Sequence, residues 1–125
     1  MSRSVIVVDD SMLMRRMIID ILSDAGWNVV GEADDGAKAL GLYKEKKPDL
    51  VTMDIVMPGT DGLQALEQIR DYDPSAQVIV VSALNQTRMI SEAIRKGAAD
   101  FITKPFLPEQ LQETLNAFCT DKVEA

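Results

Sequence analysis

The chain has 125 residues, 46% of them apolar, which is enough for one domain with one core and too little for two. A net charge of −7 and scattered basic residues leave no positive patch for nucleic acid or an anionic membrane surface. One cysteine and no histidine exclude an intrachain disulfide, histidine acid–base catalysis, histidine metal ligation and histidine phosphorylation.

Strand-like and helix-like segments alternate five times. Val5–Val8 is short, continuous and β-branched, as a strand buried on both faces should be. A helix is predicted over Met12–Ala25, with Met14, Met17, Ile18, Ile21 and Leu22 on one stripe, Asp10 or Ser11 as its cap and Gly26 just past its end. Asn28–Ala33 forms the second strand, Asp34-Asp35-Gly36 a turn, and Ala37–Lys46 a helix stopped by Pro48. The exposed Lys44–Lys47 cluster suits the end of that helix, where the macrodipole favours cations. Asp49–Met53 is the third strand and delivers Asp54. A turn-rich loop, Val56 to Gly62, precedes a helix carrying Leu63, Leu66 and Ile69.

Val78–Val81 is the fourth strand and hands over to Ser82-Ala83. Thr87–Lys96 is a helix closed by Gly97, and Asp100–Thr103 is a short fifth strand at an edge. Pro108 is placed to be the first residue of a last helix ending near Cys119, which reads there as a small apolar residue. The tail Thr120–Ala125 is expected to fray, so that residues 1–125 make a single domain with its core between about 4 and 119. No apolar run is long enough to span a bilayer, and the start Met1-Ser2-Arg3-Ser4 has no signal-peptide character; a cytoplasmic location is expected.

Five βα units imply an α/β fold, a five-stranded parallel sheet with helices on both faces and right-handed crossovers. The flavodoxin-like order 2-1-3-4-5 fits, although it is taken from that fold class and not from these residues. In such a sheet, ligands bind outside the carboxyl ends of the strands, at the point where the order reverses. Asp9 and Asp10, Asp54, Ser82 and Lys104 all fall at strand ends.

Carboxylates crowded at one edge repel unless a cation relieves them. Mg²⁺, with Mn²⁺ as an alternative, is the natural choice, since it takes one or two carboxylates, waters and phosphate oxygens. The backbone carbonyl of Val56 can complete the shell. Lys104 can pair with Asp54 and later with a phosphoryl oxygen, and Pro105 after it makes a cis peptide plausible. The Ser82 hydroxyl and the Ala83 amide can donate to the same group. An ionised aspartate needs no general base to attack phosphorus. Singly, each aspartate reads more readily as a helix cap or turn residue; it is their common placement that suggests a site.

Val7-Val8-Asp9-Asp10-Ser11, Asp54 to Gly62, Val80-Val81-Ser82-Ala83 and Lys104-Pro105-Phe106 together resemble the receiver domain of two-component response regulators. The resemblance runs from about Ser4 to the last helix. It implies that Asp54 is the phosphoacceptor, that Asp9, Asp10, Asp54 and the Val56 carbonyl bind Mg²⁺, and that Ser82, Lys104 and the Ala83 amide hold the phosphoryl group. Phe101 matches the switch aromatic coupled to Ser82; on its own it would read as an edge-strand core residue. Val8 to Ser11 and Gly31-Glu32-Ala33 fit the stand-alone chemotaxis regulators.

The implied partners are a sensor histidine kinase and a target protein. The target would meet the face of the last two helices and strand five, at Met89, Ile94, Phe101 and the outer side of residues 108–119, with the chain acting as a monomer. Two departures stand out. Val56 and Leu84 are apolar where well-known chemotaxis regulators place polar residues around the attacking water, so slow autodephosphorylation is expected. Phe101 replaces a frequent tyrosine, so contact there should be apolar. The alternatives are the receiver fragment of a larger regulator such as a chemotaxis methylesterase, and a Mg²⁺-dependent phosphohydrolase. The latter usually carries its second aspartate two residues on, and a cap domain besides. Flavin binding is disfavoured because no phosphate loop follows Val8.

Overall fold

The computed structural model describes residues 3–55, 62–83 and 87–123. Strands β1 (Arg3–Val8), β2 (Trp27–Ala33), β3 (Leu50–Asp54), β4 (Val78–Ala83) and β5 (Asp100–Lys104) alternate with helices α1 (Met12–Asp24), α2 (Ala39–Lys46), α3 (Gly62–Tyr72), α4 (Thr87–Arg95) and α5 (Pro108–Val123). All strand pairs are parallel and the order is β2-β1-β3-β4-β5, as expected.

The continuous apolar runs are explained by burial on both faces. Ile6, Val8, Val51, Met53 and Val80 pack with Tyr43, Leu66, Ile69 and Ala93 from α2, α3 and α4. Val5, Val7, Leu50, Ile79 and Val81 pack with Ile18, Leu22, Leu111 and Leu115 from α1 and α5. Alternate residues of each strand thus feed opposite layers, which is the period-2 geometry of a strand.

The local signals act much as anticipated. Ser11, rather than Asp10, caps α1 by accepting a hydrogen bond from the Met14 amide at 3.2 Å. Gly26 and Gly97 follow α1 and α4 with φ of +90° and +106°. Pro108 opens α5, and the Gln110 side chain reaches back to accept from the Leu107 amide at 2.7 Å. The Lys104–Pro105 peptide is cis.

Several boundaries differ. The helix expected from Ala37 begins as a short 3₁₀ turn, Gly36–Lys38, because the Asp35 carboxylate accepts from the Lys38 amide at 3.0 Å and tightens the entry. Met17 is exposed, since the buried stripe of α1 centres on Ile18, Ile21 and Leu22. β4 and β5 run on to Ala83 and Lys104, because each extends the other's ladder: Ser82 pairs with Thr103 and Ala83 with Lys104. The tail expected to fray from Thr120 is helical through Val123; neither glycine nor proline follows Cys119, whose side chain lies outside those described.

Candidate functional site

The sheet places the chemistry-bearing residues at one edge. Val8 pairs with Ala33 on one side and Met53 on the other, so Asp9 emerges beside Asp54 at the point where strand order reverses. Asp54 pairs with Val81, the residue before Ser82, and Lys104 closes β5 opposite Ala83. Residues 45 to 95 positions apart in sequence therefore meet because their strands end in register.

One carboxylate oxygen from each of Asp9, Asp10 and Asp54 lies within 4.8 Å of the others. Asp9 is fully buried, Asp54 is 6% exposed and Asp10 faces solvent, so the cluster opens outward through Asp10. Lys104 does more than the expected pairing with Asp54: its Nζ bridges Asp9 Oδ2 at 3.2 Å and Asp54 Oδ2 at 3.5 Å. Three carboxylates gather around one ammonium, two of them largely out of water, so the cluster is acidic in excess of its one basic partner. An all-oxygen donor set without histidine or cysteine fits a hard divalent cation of the Mg²⁺ class.

Asp9 is held by its backbone as well as its side chain. Its amide donates to the Ala33 carbonyl at 3.0 Å, and its Oδ1 accepts from the Ser11 amide at 2.9 Å. Two contributors have no local signal in the sequence. Arg15, one turn into α1, turns back to donate to the Asp9 carbonyl at 2.7 Å and to Glu32 Oε1 at 2.8 Å. Gly62 begins α3 directly over β3, its amide donating to the Ile55 carbonyl at 2.7 Å. Nearby, a hydrogen bond from Lys38 and then its charge hold the Asp34 carboxyl below the ordinary carboxylate range.

Ser82 is fully buried at the end of β4. Phe101, read without the resemblance, would belong to the core; it is instead 41% exposed on edge strand β5, as contact there requires, and Ile94 of α4 is 45% exposed. Met89, expected on a partner face, packs partly buried against the core. The Val56 carbonyl, Leu84 and the rest of the turn-rich loop up to Asp61 lie outside the described residues. Among the described residues, no helix is long and apolar enough to cross a membrane.

Residues 5–116 match the family model of the response regulator receiver domain. The chain is 50% identical over 116 residues to the chemotaxis protein CheY of Thermotoga maritima, covering 93% of this chain and 97% of that one. It is 52% identical over 110 residues to CheY of Listeria monocytogenes, covering 88% and 92%. Its backbone superposes with a TM-score of 0.87 on the crystal structure of the CheX–CheY–BeF3–Mg²⁺ complex from Borrelia burgdorferi, at 35% identity over 93% of this chain and 89% of that one.

Proposed function

The chain belongs to the response regulator receiver family, as a CheY-like signalling module of chemotaxis switched by phosphorylation, and from that premise we propose that Asp54 is its phosphoacceptor. The observation that carries this reading is the bridge of Lys104 between two buried carboxylates that also border the Asp10 opening. Asp54 is the member of the trio at the end of the central strand, flanked by the strands that carry Asp9 and Ser82.

In the proposed transfer, an Asp54 carboxylate oxygen attacks phosphorus of a phosphohistidine on a sensor kinase. The new P–O bond forms as the P–N bond breaks, and the imidazole nitrogen leaves with the electron pair. No proton need be removed from the nucleophile. Lys104 moves its charge from the Asp54 carboxylate to an oxygen of the transferred group, and the Ser82 hydroxyl and Ala83 amide donate to the others. Asp9, Asp10 and Asp54, with the Val56 carbonyl, would hold Mg²⁺, which when bound neutralises charge on the phosphoryl oxygens. The new charge draws Ser82 at the end of β4 and Lys104 at the end of β5 toward Asp54. The change is read at Phe101, Ile94 and the outer face of α5 by a target protein. The chain works in the cytoplasm as a monomer.

Two measurements test this reading. Label from a ³²P-phosphohistidine kinase domain is expected to move to this chain when Mg²⁺ is present, and label that stays on the kinase contradicts the partner assignment. The aspartyl phosphate is expected to be long-lived, because neither Val56 nor Leu84 can hydrogen-bond an attacking water. Val56→Asn should shorten its half-life about tenfold or more. A wild-type half-life no longer than that of Val56→Asn sinks the lifetime argument. A phosphohydrolase would show multiple turnovers on a phosphomonoester in the same assay.

A further inference from the structure

Arg15 is cationic and stands next to a cluster that needs cations, yet its hydrogen bonds go elsewhere. Its guanidinium donates through Nη1 to the backbone carbonyl of Asp9 at 2.7 Å and through Nε to Glu32 at 2.8 Å. The side chain is 13% exposed, so these bonds are made largely out of water. Three segments are tied by this one group: the first turn of α1, the Asp9–Asp10 peptide, and the end of β2. The preceding Val8–Asp9 peptide is held by the Asp9 amide, which donates to the carbonyl of Ala33, the neighbour of Glu32. The backbone on both sides of Asp9 is thereby tied to β2 and α1.

We propose that the Arg15–Glu32 pair is a positioning clamp that sets the Asp9–Asp10 turn for divalent-cation binding. The proposal rests on the reading of Asp9, Asp10 and Asp54 as the cation site. The guanidinium reaches its two acceptors, one just past β1 and one on β2, through two different nitrogens of one rigid plane, a geometry that a single-nitrogen lysine ammonium does not reproduce. Outer groups that orient metal-binding residues commonly change affinity tenfold or more when removed. The cleft of about 250 Å³ beside Arg15, Glu32 and Lys38 is open, so shortening Arg15 admits water and leaves no sealed void.

The sign of the effect separates positioning from charge. If Arg15 acted only as a nearby positive charge, its removal would make the pocket more negative and strengthen cation binding. If it acts as a clamp, removal weakens binding. The test is titration of the intact protein with Mn²⁺, followed by loss of the free-ion EPR signal, with Mg²⁺ as competitor. Wild type is expected to bind, and Arg15→Gln to bind about tenfold more weakly. Arg15→Lys, which keeps the charge and loses the fork, is expected to fall between them. Glu32→Gln, at a half-exposed position that does not endanger folding, should weaken binding about threefold. Circular dichroism and thermal unfolding in EDTA show whether each variant is folded. Arg15→Gln that binds as well as wild type, or better, overturns the clamp; should that variant not fold, Arg15→Lys, which keeps the charge, overturns it by binding as well as wild type. Wild type that binds no Mn²⁺ overturns the cation site itself.

Discussion

Lys104→Met is expected to slow phosphorylation of the chain by about 10²- to 10³-fold while tightening its hold on Mg²⁺. The two effects have opposite signs for one reason. Lys104 Nζ lies 3.2 Å from Asp9 and 3.5 Å from Asp54, and so shares the acidic pocket with any cation that enters. Without it the pocket gains one unit of negative charge, which a divalent ion answers and a phosphoryl donor does not. The transferring group then lacks its one mobile positive partner. Methionine is chosen because it keeps the length and apolar stem of lysine, so packing around the cis Lys104–Pro105 junction is retained. Initial rates of adduct formation at saturating Mg²⁺ measure the first effect, and a Mg²⁺ titration measures the second. A loss of less than about threefold in rate would assign the phosphoryl group to other donors.

Gly62→Ala is expected to destabilise the protein by about 3 kcal/mol or more, a large share of the stability of a domain this size. A Cβ built at Gly62 would lie 2.1 Å from the Asp54 carbonyl oxygen and 2.6 Å from the Ile55 Cα. Those are backbone atoms at the end of the central strand and of the residue just past it, with no rotamer to yield. Either α3 lifts from β3 and loses the Gly62–Ile55 hydrogen bond of 2.7 Å, or Asp54 is pushed out of register with Asp9. Urea denaturation of the variant should show a midpoint far below that of wild type at an unchanged slope. A shift worth under 1 kcal/mol would mean that α3 has room to move and that the close approach does not fix Asp54.

The legible part of the site was the part carried by strands. β-branched runs such as Val5–Val8 and Val78–Val81 identify buried parallel strands by composition, and a residue just past such a run must lie at the sheet edge. Asp9, Asp54, Ser82 and Lys104 therefore share one sheet edge by their positions in the strands alone. Strand order was different in kind: alternation implies crossovers, and the order itself came from the fold class. What could not be read depends on side chains reaching across elements. Arg15 is one of several charged residues on α1, and nothing in its spacing says that it turns back to Asp9 instead of facing solvent. The sharing of Lys104 between two carboxylates depends on fractions of an ångström in strand register. Gly62 lay within a run of turn formers, where its closeness to Asp54 has no local signature. Met17 falls outside the buried stripe because periodicity gives a stripe but not its edges, whereas Phe101 is exposed, as contact at strand five requires, because an edge strand leaves one side uncovered.

The central claim is that Asp54 takes a phosphoryl group in a pocket made by Asp9, Asp10 and Lys104. Intact mass after incubation with acetyl phosphate, with and without Mg²⁺, tests it most directly on wild type and Asp54→Asn. A single phosphoryl adduct that requires Mg²⁺ and is lost in Asp54→Asn is the predicted result. An adduct that persists in Asp54→Asn, or none on wild type under any condition, would contradict it.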